Sequence, residues 1–209
     1  MNKLLAIFLI ISISLWSCSD DENETNNENT ENNTVENTQN NNTEPSKTET
    51  QQVKINEDFK VFLDKFNTTN LPYKLDPESD DVSAKIPLDL QVKYLAKAED
   101  LEKADFEEMA EYTDFFFVSN PFKTEQYSAI IYARFEMGST YYFLCTYDND
   151  GKLISNIDFA AYEIIGAGPQ AGQEYNTKGE IDTEHKVTVI AYEETTNYQI
   201  KDNGDIVKE

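Results

Sequence analysis

Residues 53–209 predict an α+β domain: two or three amino-terminal helices laid on one face of an antiparallel β-meander of about five to seven strands. Three observations predict it. Near the start of the segment Phe59, Phe62, Leu63 and Phe66 recur at the spacing of one helical stripe. From residue 129 onward apolar and polar residues alternate in strand-length runs, the period of a strand with one buried face. Short turn sequences such as Met137-Gly138-Ser139 and Asp148-Asn149-Asp150-Gly151 separate these runs, which suits hairpins rather than parallel crossovers. The 157 residues of the segment are enough for one domain with its own core.

The first helix is expected in INEDFKVFLDKF, residues 55–66, with Asn56 placed as N-cap. A second is expected in PLDLQVKYL, residues 87–95, where Pro87 suits the first turn and Leu88, Val92 and Leu95 share a face. The segment 96–112 holds helix-forming residues at irregular apolar spacing and reads as either a helix or a charged loop. Strands follow. In 129–136, Ala129, Ile131, Ala133 and Phe135 take one face and Ile130, Tyr132, Arg134 and Glu136 the other. In 140–147, Phe143 and Cys145 oppose Tyr142 and Leu144, and DNDG turns the chain into a long strand over 152–164. Four more strands are expected near 178–182, 186–193, 197–202 and 205–208.

The amino terminus is of another kind. The run Leu4 to Trp16 would reach only about 20 Å as a helix, against a bilayer core of about 30 Å, so it is too short to span. With Lys3 ahead of it and small residues behind, residues 1–17 have the build of a signal peptide. Residues 18–52 then form an Asn-, Thr- and Glu-rich tether. Past Cys18 it has nine acids against one lysine and Val35 as its sole sizeable aliphatic residue, so it is expected to stay disordered and extended.

Leu15, Trp16, Ser17 and Cys18 resemble the lipobox of bacterial lipoproteins, although Trp16 stands where that family commonly has a small residue. The resemblance implies acylation of the Cys18 thiol, removal of the leader before it, and membrane attachment through the lipid. Ser19, Asp20, Asp21 and Glu22 are similar to the acidic signal that sends lipoproteins of the Bacteroidota to the outer face of the outer membrane; the periplasmic face is the alternative. The element order, ending in Tyr198, Ile200, Gly204 and Ile206, also resembles a broad set of Bacteroidota lipoproteins of no known activity.

Chemistry is sparse in the domain. Cys145 lies mid-strand among apolar neighbours, where a thiol behaves as a small core residue, and His185 lies in a polar turn, so a Cys–His nucleophile is disfavoured. One histidine and one thiol do not build a zinc site. DNDG opens like a calcium loop but lacks the later glutamate and the flanking helices. GAGPQAG, residues 166–172, lacks the ending of a phosphate loop. No catalytic residue, metal or cofactor is therefore expected. Fifteen basic against 31 acidic side chains, a net charge of −16, disfavour nucleic acid.

What remains is a surface. With Ile131, Phe135, Phe143, Cys145, Ile157 and Phe159 set toward the helices, the residues Tyr132, Arg134, Tyr142, Asn156, Asp158 and Tyr162 gather on the opposite sheet face as a candidate binding patch for a protein, small-molecule or glycan ligand. The expected role is a non-enzymatic, lipid-anchored binding protein. An inhibitor or immunity-type lipoprotein acting through its acidic surface and a carboxylate-based hydrolase are the alternatives.

Overall fold

The computed structural model describes residues 54–79, 84–192 and 194–209. The expected leader, Cys18 and the tether lie outside the described residues. Helices α1 (Glu57–Leu63), α2 (Leu88–Tyr94) and α3 (Lys103–Met109) are joined by β1 (Asn67–Thr68) and β2 (Tyr73–Leu75), and a continuous meander follows. Its strands are β3 (Asp114–Lys123), β4 (Tyr127–Glu136), β5 (Ser139–Asp148), β6 (Leu153–Ile164), β7 (Glu174–Ile181), β8 (Lys186–Ala191), β9 (Glu194–Ile200) and β10 (Ile206–Lys208). Strands β3 to β10 pair in chain order, β1 adds parallel to β3, and β2 adds antiparallel to β7.

The α+β class and the antiparallel meander are as the sequence predicts. Among the described residues the sheet has ten strands rather than five to seven. The expected seven correspond to β4 through β10, and the three unforeseen ones have physical reasons for being hidden. β1 and β2 are two and three residues long and carry no periodicity. In β3 three consecutive phenylalanines mask the alternation, and Pro121 falls where the register with β4 slips between Ser119 and Phe122.

α1 forms as its stripe dictates. The Asn56 side chain accepts from the amides of Asp58 at 3.0 Å and Phe59 at 3.3 Å, satisfying two donors the first turn leaves open. Phe59, Phe62, Leu63 and Phe66 are all buried. In α2 the buried stripe differs from the expected one: Leu88 is 52% exposed, and Gln91, Tyr94 and the following Leu95 face inward. A buried glutamine is tolerated there because its Nε2 donates to the Ile86 carbonyl at 2.7 Å. The ambiguous segment resolves into turns up to Leu101 and then α3, which buries Phe106, its ring 5.3 Å from Phe115, with Met109 partly buried against the same core.

The faces of the sheet are assigned by register. Residues directly opposite in an antiparallel pair share a face, and Ile130 pairs with Cys145, Ile131 with Leu144 and Tyr132 with Phe143. The helices therefore cover Ile130, Tyr132, Phe143, Cys145 and Tyr147, not the expected set with Ile131. Ile131, Ala133, Tyr142 and Leu144 point the other way, and that side is not open either. The sheet curls so that Leu75, Ile181, Val187 and Ile200 pack onto it together with Phe159. Thr146 Oγ1 fastens the curl by donating to the Gly204 carbonyl at 2.7 Å. Strand β4 is consequently buried on both sides from Tyr127 to Ala133.

The curl requires close approach at Gly179. A Cβ there would lie 2.5 Å from Cζ of Phe159, which is fully buried and has nowhere to retreat. Gly179→Ala is expected to cost about 1–3 kcal/mol through overpacking. Chemical denaturation checks this, and a variant as stable as the parent would show that the second core is looser than described.

Candidate functional site

In a meander, successive turns fall at alternate ends of the sheet, so two poles of different chemistry are built from one chain. One pole carries the β3–β4, β5–β6, β7–β8 and β9–β10 turns, which are polar and rich in Asp and Asn. Its β5–β6 turn is the expected tight hairpin, with Asp148 Oδ1 accepting from the amides of Asp150 and Lys152, both at 2.9 Å. The chain enters the described domain here, the Asn56 amide donating to the Asn149 carbonyl at 2.8 Å.

The other pole carries the β4–β5 turn, the β6–β7 connection containing GAGPQAG, and the β8–β9 turn. Phe135, Met137, Ile164 and Tyr192 are exposed large apolar residues clustered at these strand ends. Met137 is 98% exposed and Tyr192 61% exposed, and both adopt positive φ, of 50° and 56°. Both residues sit in two-residue hairpin turns, between Glu136 and Ser139 and between Ala191 and Glu194, where positive φ is what the turn requires.

A strip of tyrosines and carboxylates lines this pole from β4 to the β8–β9 turn. Arg134 pairs with Tyr141, Tyr141 with Ala161, and Glu163 with Tyr175, which sets these residues across neighbouring strands at this pole. Tyr175 and Tyr192 meet edge to face with ring centroids 4.6 Å apart. Partial burial raises the Tyr141 hydroxyl above its usual value, and the carboxylates of Glu163 and Glu136 add to the effect. Tyr192 is raised by desolvation first, with Tyr175 and Glu163 contributing.

The inner end of the strip is anchored. Glu99, its side chain only 4% exposed, accepts from Tyr132 Oη at 2.6 Å and from Arg134 Nη1. Arg134 Nη2 reaches Glu136 Oε1 at 3.3 Å, and the guanidinium lies 5.2 Å from the Tyr141 ring and 5.0 Å from that of Phe143. Burial pushes the Glu99 carboxyl up, while the bonds from Tyr132 and Arg134 pull it back down. This cluster pins the turn after α2 to β4.

Comparison with protein-family models, curated proteins and solved structures finds no match for this chain. The site therefore rests on its own geometry.

The six residues expected to form one binding face are divided by the fold. Tyr132 is fully buried beneath the helices, and Arg134 is the partly covered base of the strip. Asn156 is on the same side, where its Nδ2 donates to the Ala98 carbonyl at 2.9 Å. Asp158 pairs with Phe143 and is exposed. Tyr142 points into the second core and is 3% exposed. Tyr162 is half-buried at the end of β6, where a hydrogen bond to Glu174 raises its hydroxyl. The expected patch assumed a register one residue out between β5 and both its neighbours, so Ile157 and Phe159, expected under the helices, belong to the second core with Ile131.

Cys145 and His185 do not meet. Cys145 is sealed in the helix-side core, where burial drives its thiol far above the ordinary range. His185 stacks on Phe122 at 4.1 Å, and Phe122 packs on the second core. Sequence reading missed Tyr141, Glu163, Tyr175 and Tyr192. The available signal was turn parity: Met137 and Tyr192 stand within alternate turns, while Asp and Asn dominate the β5–β6 and β9–β10 turns between them.

Proposed function

We propose that this chain is a lipid-anchored lipoprotein of the outer membrane, exposed at the cell surface, whose domain acts as a non-enzymatic binding module. The observation that carries the location is Leu15-Trp16-Ser17-Cys18 directly after an apolar run too short to span a bilayer, with Asp20, Asp21 and Glu22 behind it. Acylation at Cys18 would hold the chain by several lipid chains, each buried methylene adding about 0.8 kcal/mol. The tether up to residue 52 would then act as a charged spacer between lipid and domain.

The binding role is supported by the contrast between the two poles. Apolar and aromatic side chains are presented at one pole of the sheet, whereas the turns at the other pole are polar. An inhibitor acting by its charge is the second reading, favoured by the net charge of −16 over residues 53–209.

The test is metabolic labelling with an alkynyl palmitate, together with protease treatment of intact cells. Label is expected on the parent chain and lost from Cys18→Ser, with the domain cleaved at the surface of whole cells. Equal labelling of parent and Cys18→Ser would sink the anchor, and protection from protease until the outer membrane is opened would move the domain to the periplasmic face.

A further inference from the structure

We propose that the strip from Glu136 to Tyr192 is the docking site for an extended cationic segment of a partner protein, with a lysine or arginine side chain seated against the Tyr175–Tyr192 pair beside Glu163. This rests on the reading of the domain as a binding module and names its partner by chemistry.

Three features of the strip select that occupant. Its chemistry is that of cation recognition: aromatic faces carry negative potential, and a nearby carboxylate completes the complement to an ammonium or guanidinium group. Arg134 demonstrates this at the same pole, since its guanidinium already lies over Tyr141 and is met by Glu99 and Glu136. Tyr175 and Tyr192 repeat the aromatic half of that arrangement further along, with Glu163 beside them.

The second feature is shape. From β4 to β8 the strip crosses four strand spacings, about 19 Å, which an extended segment of about six residues would cover. A cleft of about 460 Å³ lies between α1 and the β1 edge, lined by Lys60, Thr68 and Asn120 among others, away from the strip. An open, elongated strip suits a chain better than an enclosed small molecule.

The third is charge complementarity. Glu163 and Glu136 flank Tyr141, and Glu174 and Glu194 stand at the starts of β7 and β9 at the same pole. Arg134, the cation of the strip, has its charge met by Glu99 and Glu136, so the strip offers net negative charge around exposed apolar surface. A partner segment alternating Lys or Arg with small apolar residues matches both.

The experiment uses the full chain in detergent and a fluorescent hexapeptide, acetyl-Arg-Val-Arg-Val-Arg-Val-amide, with anisotropy as readout. Tyr192→Ala and Glu163→Gln are each expected to weaken binding about fivefold to thirtyfold, and Tyr192→Phe, which keeps the aromatic face, to leave it within about twofold. Asp202→Asn at the opposite pole is the charge control and is expected to have no effect. Equal losses in Asp202→Asn and Glu163→Gln would show attraction to the acidic surface as a whole and overturn the docking site, as would a Tyr192→Phe variant as weak as Tyr192→Ala. If the peptide does not bind while cross-linking on intact cells joins the domain to a partner through another face, the strip proposal fails and the binding-module reading stands.

Discussion

Phe62→Ala lowers the stability of the domain by about 3–5 kcal/mol, a large part of what a domain of this size has to lose. Phe62 is fully buried. Its ring stacks on Tyr94 at 4.4 Å, meets Phe66 edge to face at 5.1 Å, and lies 6.0 Å from Phe117, so one side chain joins α1, α2 and β3. Removing it opens a cavity that the neighbours are poorly placed to fill. The α2 end of the cluster is held by Tyr147 Oη donating to the Tyr94 carbonyl at 2.7 Å, and Gly151 packs against Phe59 so closely that a Cβ would lie 2.8 Å from that ring. Guanidinium denaturation measures the loss, with Val61→Ala as the control, since Val61 is 58% exposed on the same helix and its truncation should be nearly silent. A Phe62→Ala midpoint indistinguishable from that of Val61→Ala would mean that the helices do not seal this face of the sheet.

Glu99→Ala has the second-largest effect, about 2–4 kcal/mol, because it removes the nearer carboxylate from the Arg134 guanidinium and leaves the buried Tyr132 hydroxyl without its acceptor. The figure sits below that for a fully buried pair because Arg134 is 20% exposed and keeps Glu136. The pH dependence separates charge from hydrogen bonding. Burial holds the folded-state carboxyl above its ordinary value, so the folded protein binds this proton more tightly than the unfolded chain does. Its contribution is then most favourable at low pH, and stability falls as pH rises from the ordinary glutamate value of about 4.3 through the elevated one. Above that window the contribution is constant. Glu99→Gln keeps an acceptor oxygen and has no proton to lose, so this component of the slope is absent from it. Denaturation midpoints followed across the mildly acidic range test the sign: an unchanged slope in Glu99→Gln would mean that another group sets it.

The parts of the fold legible in advance are those whose signal is local. Asn56, the stripe of Phe59, Phe62, Leu63 and Phe66, and the DNDG hairpin each encode a preference within a few residues, and the structure realises all three. β3 escaped because its alternation is buried under three consecutive phenylalanines and a slipped register. α2 turned a different face inward because Gln91 finds a backbone partner, a gain no hydropathy pattern contains. The candidate site was less legible still. Alternation along β4 and β5 shows that each strand has two faces but carries no information on which residue of one strand stands opposite which of the other.

By itself the sequence determined the class of the domain, the positions of most of its strands and helices, its acidic character, and the segment from Leu15 to Cys18 on which the proposed location rests. The tertiary structure decided the rest: that both faces of β4 are buried, that Tyr132 and Tyr142 belong to different cores, and that Tyr141, Glu163, Tyr175 and Tyr192 come together at one pole. The division has one physical cause. Helix caps, stripes and tight turns are short-range free-energy preferences, whereas register, sheet curl and the meeting of Tyr175 with Tyr192 depend on contacts between residues far apart in the chain, and these exist only once the strands have paired.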